Sequence, residues 1–228
     1  MSQLNKVIRE VLNKVGFILL SWRTHDKKFS IISNDCYGGE VYKALRLPFN
    51  TPFIGLMLMG PCFIKFLTNP HYYLGLELQF INHSVYESCN QNRNEKPYPL
   101  AKLDDIEIHF LHYENAETAV QKWNIRKQRI NWNNIRICYT VDKDYSTEKE
   151  LKLFYQLPYK NIVTFSKRRY QDSPNNFVIK KFNTNALALF RESLSEFNFC
   201  GWLNGKSVSL NNFKEKAIAM ILKKTINM

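Results

Sequence analysis

Three segments of this 228-residue chain carry side chains that could do chemistry. The first is a polar turn in which Asn34, Asp35 and Cys36 precede Gly38 and Gly39. Backbone N–H groups at the start of a helix favour anions, and glycines let a phosphate or carboxylate approach closely. The same position lowers the pKa of a thiol, so Cys36 is also a candidate nucleophile. The turn therefore predicts an anionic-substrate site, a reactive thiolate, or a tight turn with an inert thiol.

The second segment combines acids and histidines on a predicted strand, 105–112. Alternation along a strand puts Asp105, Glu107 and His109 on one face, with His112 at the strand's end. Adjacent carboxylates could orient a histidine, and Asp105, His109 or His112 could be a general base. No nearby residue completes a metal-ligand set, so we predict no metal site. Paired acids before a strand are also typical of a surface loop.

The third segment is a basic helix that contains Lys122, Arg126 and Arg129. Spacings of four and three residues put these side chains on one helical face. Such a face could bind a diphosphate through charge-assisted hydrogen bonds. The alternative is a solvated basic face, with Trp123 and Ile130 turned towards the core.

Short apolar runs that alternate with longer amphipathic ones must position these segments, and this pattern is typical of parallel strands with crossover helices. We therefore predict one α/β domain over residues 1–228, with three layers (helix–sheet–helix) and a mostly parallel, Rossmann-like sheet. Predicted strands cover 28–33, 51–59, 105–112, 134–141, 161–165 and 177–181. Predicted helices cover 4–12, 40–45, 61–78 with a break near Pro70, 116–130 after an Asn115 cap, 148–157 after a Ser146 cap, 187–197 and 210–223.

The polar stretch 82–99 has little periodicity and is rich in asparagine. Loops of that length tend to be functional or disordered. We therefore expect a mobile loop over 82–99.

Composition limits the partners and the compartment. The net charge of +12 attracts polyanions, including anionic membrane surfaces and nucleotide-linked substrates. The chain has no zinc-finger or RNP-like motif, so we expect no specific nucleic-acid binding. Its five cysteines form no CxxC pair, and its longest apolar run, 53–66, falls short of the roughly 20 residues of a spanning helix. We therefore expect free thiols and a cytoplasmic location; the residues identify no cofactor.

The same segments resemble a bacterial family known as domain of unknown function 1919, whose members are often described as exopolysaccharide biosynthesis proteins. The stretches that carry the resemblance are 32–42, 47–56, 102–113 and 122–131, with Tyr37 where the family pattern leads one to expect tryptophan. The resemblance implies an α/β fold and a setting in capsule or exopolysaccharide gene clusters, with no established reaction. The order of the Cys36 turn and the histidine-bearing strand is also similar to that of papain-like cysteine peptidases.

The favoured hypothesis is a glycosyltransferase-like enzyme that uses a nucleotide-activated sugar and a glycan acceptor. Lys122, Arg126 and Arg129 would stabilise the departing nucleoside diphosphate, and Asp105 or His112 would deprotonate the acceptor hydroxyl.

Two alternatives are also compatible with these residue patterns. In the first, Cys36 attacks an acyl donor, His109 or His112 is its base, and Asn134 or Asp142 orients the imidazole. In the second, the chain is a glycan- or nucleotide-binding module without catalysis.

Overall fold

Strands and helices alternate along most of the chain in a computed structural model, which describes residues 3–227. Helices α1–α10 span, in chain order, Gln3–Arg23, Tyr37–Leu45, Gly60–Thr68, Pro70–Gly75, Glu87–Glu95, Ala116–Lys127, Glu148–Tyr155, Ala186–Ser193, Phe199–Leu203 and Phe213–Asn227. Strands β1–β7 span Ser30–Ser33, Gln79–Phe80, Leu100–Leu103, Ile106–His109, Ile135–Thr140, Ile162–Ser166 and Asn176–Val178.

The strands form a parallel sheet and a small antiparallel one. The parallel sheet has the order β1-β5-β6-β7, and the antiparallel sheet has the order β2-β3-β4. Ile32 lies opposite Ile137, and Ile137 lies opposite Ile162, so β-branched side chains cross the sheet in register. Every residue of β1 and β6 is buried, as expected for parallel strands covered on both faces.

The parallel sheet separates two apolar clusters, which makes the domain three-layered. On one face, Ile32 and Ile137 pack with α3, α6, α7 and the small sheet. On the other face, Ile31 and Cys138 pack with α1, α2, α8, α9 and α10. The predicted class, a three-layer α/β fold with a mostly parallel sheet, is confirmed.

Local signals in the sequence also placed several helix ends correctly. Asn115 caps α6 by accepting a hydrogen bond from the Thr118 N–H at 2.8 Å. The predicted break near Pro70 separates α3 from α4. The cap of α7 is Thr147 rather than Ser146, because Thr147 and Glu150 form a reciprocal capping box.

The expectation of a strand over 51–59 is wrong. This apolar segment is buried but irregular, with one isolated bridge between Met57 and His109. Leu58 donates its N–H to the Asn34 carbonyl at 2.9 Å, and Gly55 adopts a positive φ of 69°. The backbone N–H and C=O groups of this segment therefore form hydrogen bonds with several different segments, and no continuous strand pairing forms.

The expectation of a loop over 82–99 is wrong where helix α5 occupies Glu87–Glu95. The helix start is anchored by Asn90, which accepts a hydrogen bond from the Ser84 N–H and donates one to the Ser84 carbonyl. The buried Glu107 carboxylate accepts from the Val85 N–H at 2.9 Å. Because that anchor is distant in sequence, composition alone predicts a loop here.

None of the helices within residues 3–227 combines the length and the hydropathy that crossing a bilayer requires.

Candidate functional site

A cavity of about 510 Å³ opens at the carboxyl ends of β1 and β5. Its walls come from the segments after these two strands, the start of α8 at Thr184–Leu187, the end of β4 and one face of α6. Ligands bind at this edge in open α/β sheets, and sites for small molecules occupy roughly 300–1,000 Å³. The predicted position of the site, after the first strand, coincides with this cavity.

A buried ion pair joins the two strands at the floor of the cavity. The Lys143 ammonium lies 2.7 Å from the Asp35 carboxylate and 3.4 Å from that of Asp144, and the Lys143 and Asp35 side chains are at most 7% exposed. Burial alone would raise the pKa of Asp35, but the adjacent Lys143 charge outweighs it and the pKa is lowered. Burial opposes the charge of Lys143, yet the two carboxylates raise its pKa to about 12. The pair is therefore fully ionised at neutral pH.

The loop that presents Lys143 has an unusual backbone. Asp142, Asp144 and Tyr145 all have positive φ, between 50° and 65°, a region that costs non-glycine residues energy. The Gly60 N–H donates to the Asp144 carbonyl at 2.8 Å, and a Cβ on Gly60 would lie 2.7 Å from the Tyr145 carbonyl oxygen. Close packing against a glycine thus fixes the loop that brings Lys143 to the cavity.

Cys36 lines the cavity, but its environment keeps the thiol protonated. Burial, followed by the charges of Asp35 and Glu40, raises its pKa to about 12. Its sulfur contacts the Leu56 carbonyl at 3.7 Å, and within residues 3–227 no histidine lies in hydrogen-bonding distance of it. The arrangement does not form the Cys–His pair that thiol catalysis requires.

The α6 side of the cavity is basic and aromatic. Arg126 donates to the Tyr113 hydroxyl at 2.8 Å and lies 5.0 Å from the centre of the Phe49 ring. Lys122 lies 5.6 Å from the centre of the Tyr113 ring. In the described part of the chain, no carboxylate lies within 4.0 Å of either cation. These charges are available for an anionic ligand.

His112 lies at the cavity and is held by its backbone. Its N–H donates to the Gly55 carbonyl at 3.0 Å, and a Cβ on Gly55 would lie 3.1 Å from the His112 Cβ. Partial burial, followed by the nearby Lys96 and Lys43 charges, lowers the pKa of the imidazole. His112 is therefore neutral near pH 7 and can accept a proton.

The cavity thus brings together six residues that the sequence singled out: Asp35, Cys36, Gly39, His112, Lys122 and Arg126.

Two residues predicted to bind substrate instead support the backbone. The Asn34 amide donates to the Thr140 carbonyl at 3.1 Å and accepts from the Thr140 N–H at 2.9 Å, which extends the β1–β5 pairing by one residue. Gly38 faces β1, where a Cβ would lie 3.0 Å from Ile31 and 3.1 Å from the Ser33 hydroxyl. Neither lines the cavity.

Three further candidates lie away from the cavity. Asp105 lies in the turn between β3 and β4, at the opposite end of β4 from His112, and pairs with Lys65 at 2.6 Å. His109 is fully buried, with one ring nitrogen 3.2 Å from the Tyr98 hydroxyl; burial, then the Arg93 charge, lowers its pKa to about 4. Arg129 lies beyond α6, which ends at Lys127, and does not line the cavity.

Sequence reasoning missed three elements of the site. Lys143 lies between two aspartates, a pattern that usually indicates a surface turn, although its place directly after a predicted strand was a usable signal. Phe49 and Tyr113 are aromatic residues in stretches that carry the family resemblance, and nothing else in the sequence marks them as cavity walls. Glu40 and Lys43, paired at 2.7 Å, follow the glycines on α2.

Among residues 3–227, no cluster of three or more metal-binding side chains occurs.

Comparison with known proteins agrees with the extent of this fold. Residues 5–204 match the family model described as "Domain of unknown function (DUF1919)". The chain is 35% identical over 205 residues to an uncharacterized protein of Haemophilus influenzae, an alignment that covers 90% of this chain and 89% of that protein. The matched region includes every cavity residue described above, and the chain belongs to the DUF1919 family.

Proposed function

We propose that this protein transfers a sugar from a nucleotide-activated donor to a glycan acceptor. The observation that carries the proposal is the coexistence, in one cavity, of uncompensated cations on α6 and a neutral imidazole. In this proposal Lys122 and Arg126 would bind the diphosphate, with Lys143 on the cavity floor and the start of α8 adding N–H dipoles.

The proposed reaction gives each of these groups one role. The acceptor hydroxyl attacks the anomeric carbon of the sugar, and His112 takes the hydroxyl proton on a ring nitrogen. The bond from the anomeric carbon to the phosphate oxygen breaks, and the nucleoside diphosphate leaves with the electron pair. Lys122 and Arg126 stabilise the negative charge that develops on it. Asp105 has no part in this scheme, because it does not line the cavity.

Acyl transfer through Cys36 is the weaker proposal. The raised pKa of the thiol leaves little thiolate near neutral pH. The residues expected to orient a catalytic histidine are engaged elsewhere: Asn134 donates to Asp26, and Asp142 accepts from the Tyr170 hydroxyl and the Lys167 N–H.

We further propose that the reaction belongs to exopolysaccharide or capsule synthesis and takes place in the cytoplasm. The family resemblance supports the first point. All five cysteines are free thiols, which supports a reducing compartment.

Isothermal titration calorimetry with UDP-glucose, GDP-mannose and dTDP-glucose tests the proposal. At least one donor should bind the wild-type chain, and Arg126→Gln should weaken that donor roughly tenfold or more, because a charge-assisted bond contributes about 1.5–3 kcal/mol.

Arg129→Gln is the matched control, since it removes the same charge three residues away and outside the cavity. It should change affinity less than about twofold. Absence of binding heat with every donor, or equal losses in the two variants, would refute the proposal.

A further inference from the structure

Helix α1 exposes an apolar stripe that does not pack against the core of the fold. Ile8, Val11, Val15, Ile18 and Trp22 follow one another at spacings of three and four, so they share one face of the helix. Between 43% and 74% of each residue is exposed. Surface helices normally present polar residues on this side.

The opposite face of α1 packs against the core and against α10. Leu20 is fully buried in the cluster that α1 shares with α10, and Gly16 lets the two helices approach so closely that a Cβ there would lie 2.4 Å from the Thr225 hydroxyl. Helix α10 exposes apolar side chains of its own, Phe213 at 86% and Met220 at 68%. The two neighbouring helices therefore carry apolar surface beyond what the core requires.

The same two helices concentrate positive charge. Each has four basic residues and one acidic residue, so together they supply half of the net charge of +12. Lys14 on α1 and Lys214, Lys216 and Lys224 on α10 are exposed.

A groove of about 320 Å³ continues the apolar stripe. It lies between the end of α1 and the end of α2, with the exposed ring of Trp22 at its edge. Lys27 and Arg46 line it, and Lys27 donates to the Ser21 hydroxyl at 3.1 Å. A tryptophan beside two cations is the composition found at the headgroup level of membranes.

We propose that the outer face of α1 and α10 binds the surface of an anionic lipid bilayer. Apolar side chains would enter the headgroup boundary, and the lysines would contact lipid phosphates. A second copy of this chain fits less well, because facing copies would bring the same lysines together. The α2 helix, about 14 Å long at 1.5 Å per residue, connects this face to the cavity, since its start lines the cavity and its end lines the groove. The proposal does not depend on which reaction the cavity performs.

Co-sedimentation with large vesicles tests it on the full chain. Vesicles of phosphatidylcholine with about 30 mol% phosphatidylglycerol should bind the protein, with at least tenfold weaker binding to pure phosphatidylcholine, since each lysine near an anionic surface contributes about fivefold. The double variant Ile18→Asn/Trp22→Ser should lose at least tenfold in binding to the anionic vesicles. The triple variant Lys214→Gln/Lys216→Gln/Lys224→Gln should lose at least tenfold as well.

Matched controls lie on the other side of the molecule. Val85→Asn removes an exposed apolar side chain, and Lys149→Gln/Lys160→Gln removes two exposed charges; both should bind like wild type. Thermal unfolding should show unchanged melting temperatures for all variants, because the substituted side chains are exposed. No binding to anionic vesicles, or equal losses in test and control variants, would overturn the proposal. Sedimentation equilibrium provides a further test. If the wild-type chain is a dimer and Ile18→Asn/Trp22→Ser is a monomer, the face binds a second copy and the proposal is overturned.

Discussion

Replacing Lys143 with methionine should destabilise the fold strongly at neutral pH. At 2.7 Å, the attraction between Lys143 and Asp35 is about 6 kcal/mol for an effective dielectric constant of roughly 20. Much of this offsets the cost of burying the two charges, but removing one partner leaves the other charge buried and unpaired. We expect a loss of about 3–5 kcal/mol in the free energy of unfolding, or roughly 6–20 °C in melting temperature for a chain of this size.

The pH dependence separates this explanation from simple loss of packing. In the wild type the pKa of Asp35 is lowered, so its stabilisation is present above the usual value of 3.8 and is lost as the pH falls through the lowered pKa. In Lys143→Met, burial without the compensating charge should raise that pKa. Asp35 then takes up a proton on acidification, and the deficit relative to wild type should shrink between pH 7 and pH 4.

Urea unfolding followed by tryptophan fluorescence measures both quantities. The double variant Asp35→Asn/Lys143→Met removes both charges and should be more stable at pH 7 than Lys143→Met alone. A Lys143→Met variant within about 1 kcal/mol of wild type, or a deficit that stays constant with pH, would refute the reasoning.

Other substitutions probe the remaining parts of the site. Asn34→Ala should cost roughly 2–3 kcal/mol in urea unfolding, because it leaves the buried N–H and carbonyl of Thr140 without partners; a neutral result would contradict the role given to Asn34. Gly60→Ala should cost roughly 1–3 kcal/mol and disturb the loop at Tyr145, since the new Cβ would lie 2.7 Å from its carbonyl oxygen; unchanged stability would show that this loop is not fixed by Gly60. Alkylation of Cys36 by iodoacetamide at pH 8, followed by peptide mass spectrometry, should be roughly a thousandfold slower than that of a free thiol; a rate near that of glutathione would revive thiol chemistry.

The sequence predicted the layers of the fold because burial patterns are local. β1, β5 and β6 are short apolar runs bounded by polar turns, and the Asn115 cap is adjacent to the helix it starts. Segment 51–59 shows the limit of this reasoning. It is as apolar as a strand, but its backbone finds partners in separate segments, and no periodicity in its own residues reveals that.

The cavity contains only some of the residues that the sequence grouped into a candidate site. The start of α2 and the basic face of α6 do meet in the cavity. Arg129 lies outside the cavity, because the helical spacing that grouped it with Lys122 and Arg126 extended past the last helical residue, Lys127. The sequence predicted that Asp105 and His112 lie on one strand, 105–112. In the structure β4 is shorter, and the two residues lie beyond its opposite ends. Lys143 was missed because its partner, Asp35, is more than a hundred residues away in sequence.

The most direct test of the central claim is where a nucleotide sugar binds. The chain has five histidines, of which His112 lines the cavity and His25, His71 and His83 do not. Titration with a nucleotide sugar, followed by the imidazole carbon-bound proton resonances in NMR, should shift the His112 signals in a saturable way and leave those three unchanged. Arg126→Gln should move the saturation to higher donor concentration. If no donor shifts His112, or if a donor shifts one of those three histidines and leaves His112 unchanged, the cavity is not the donor site.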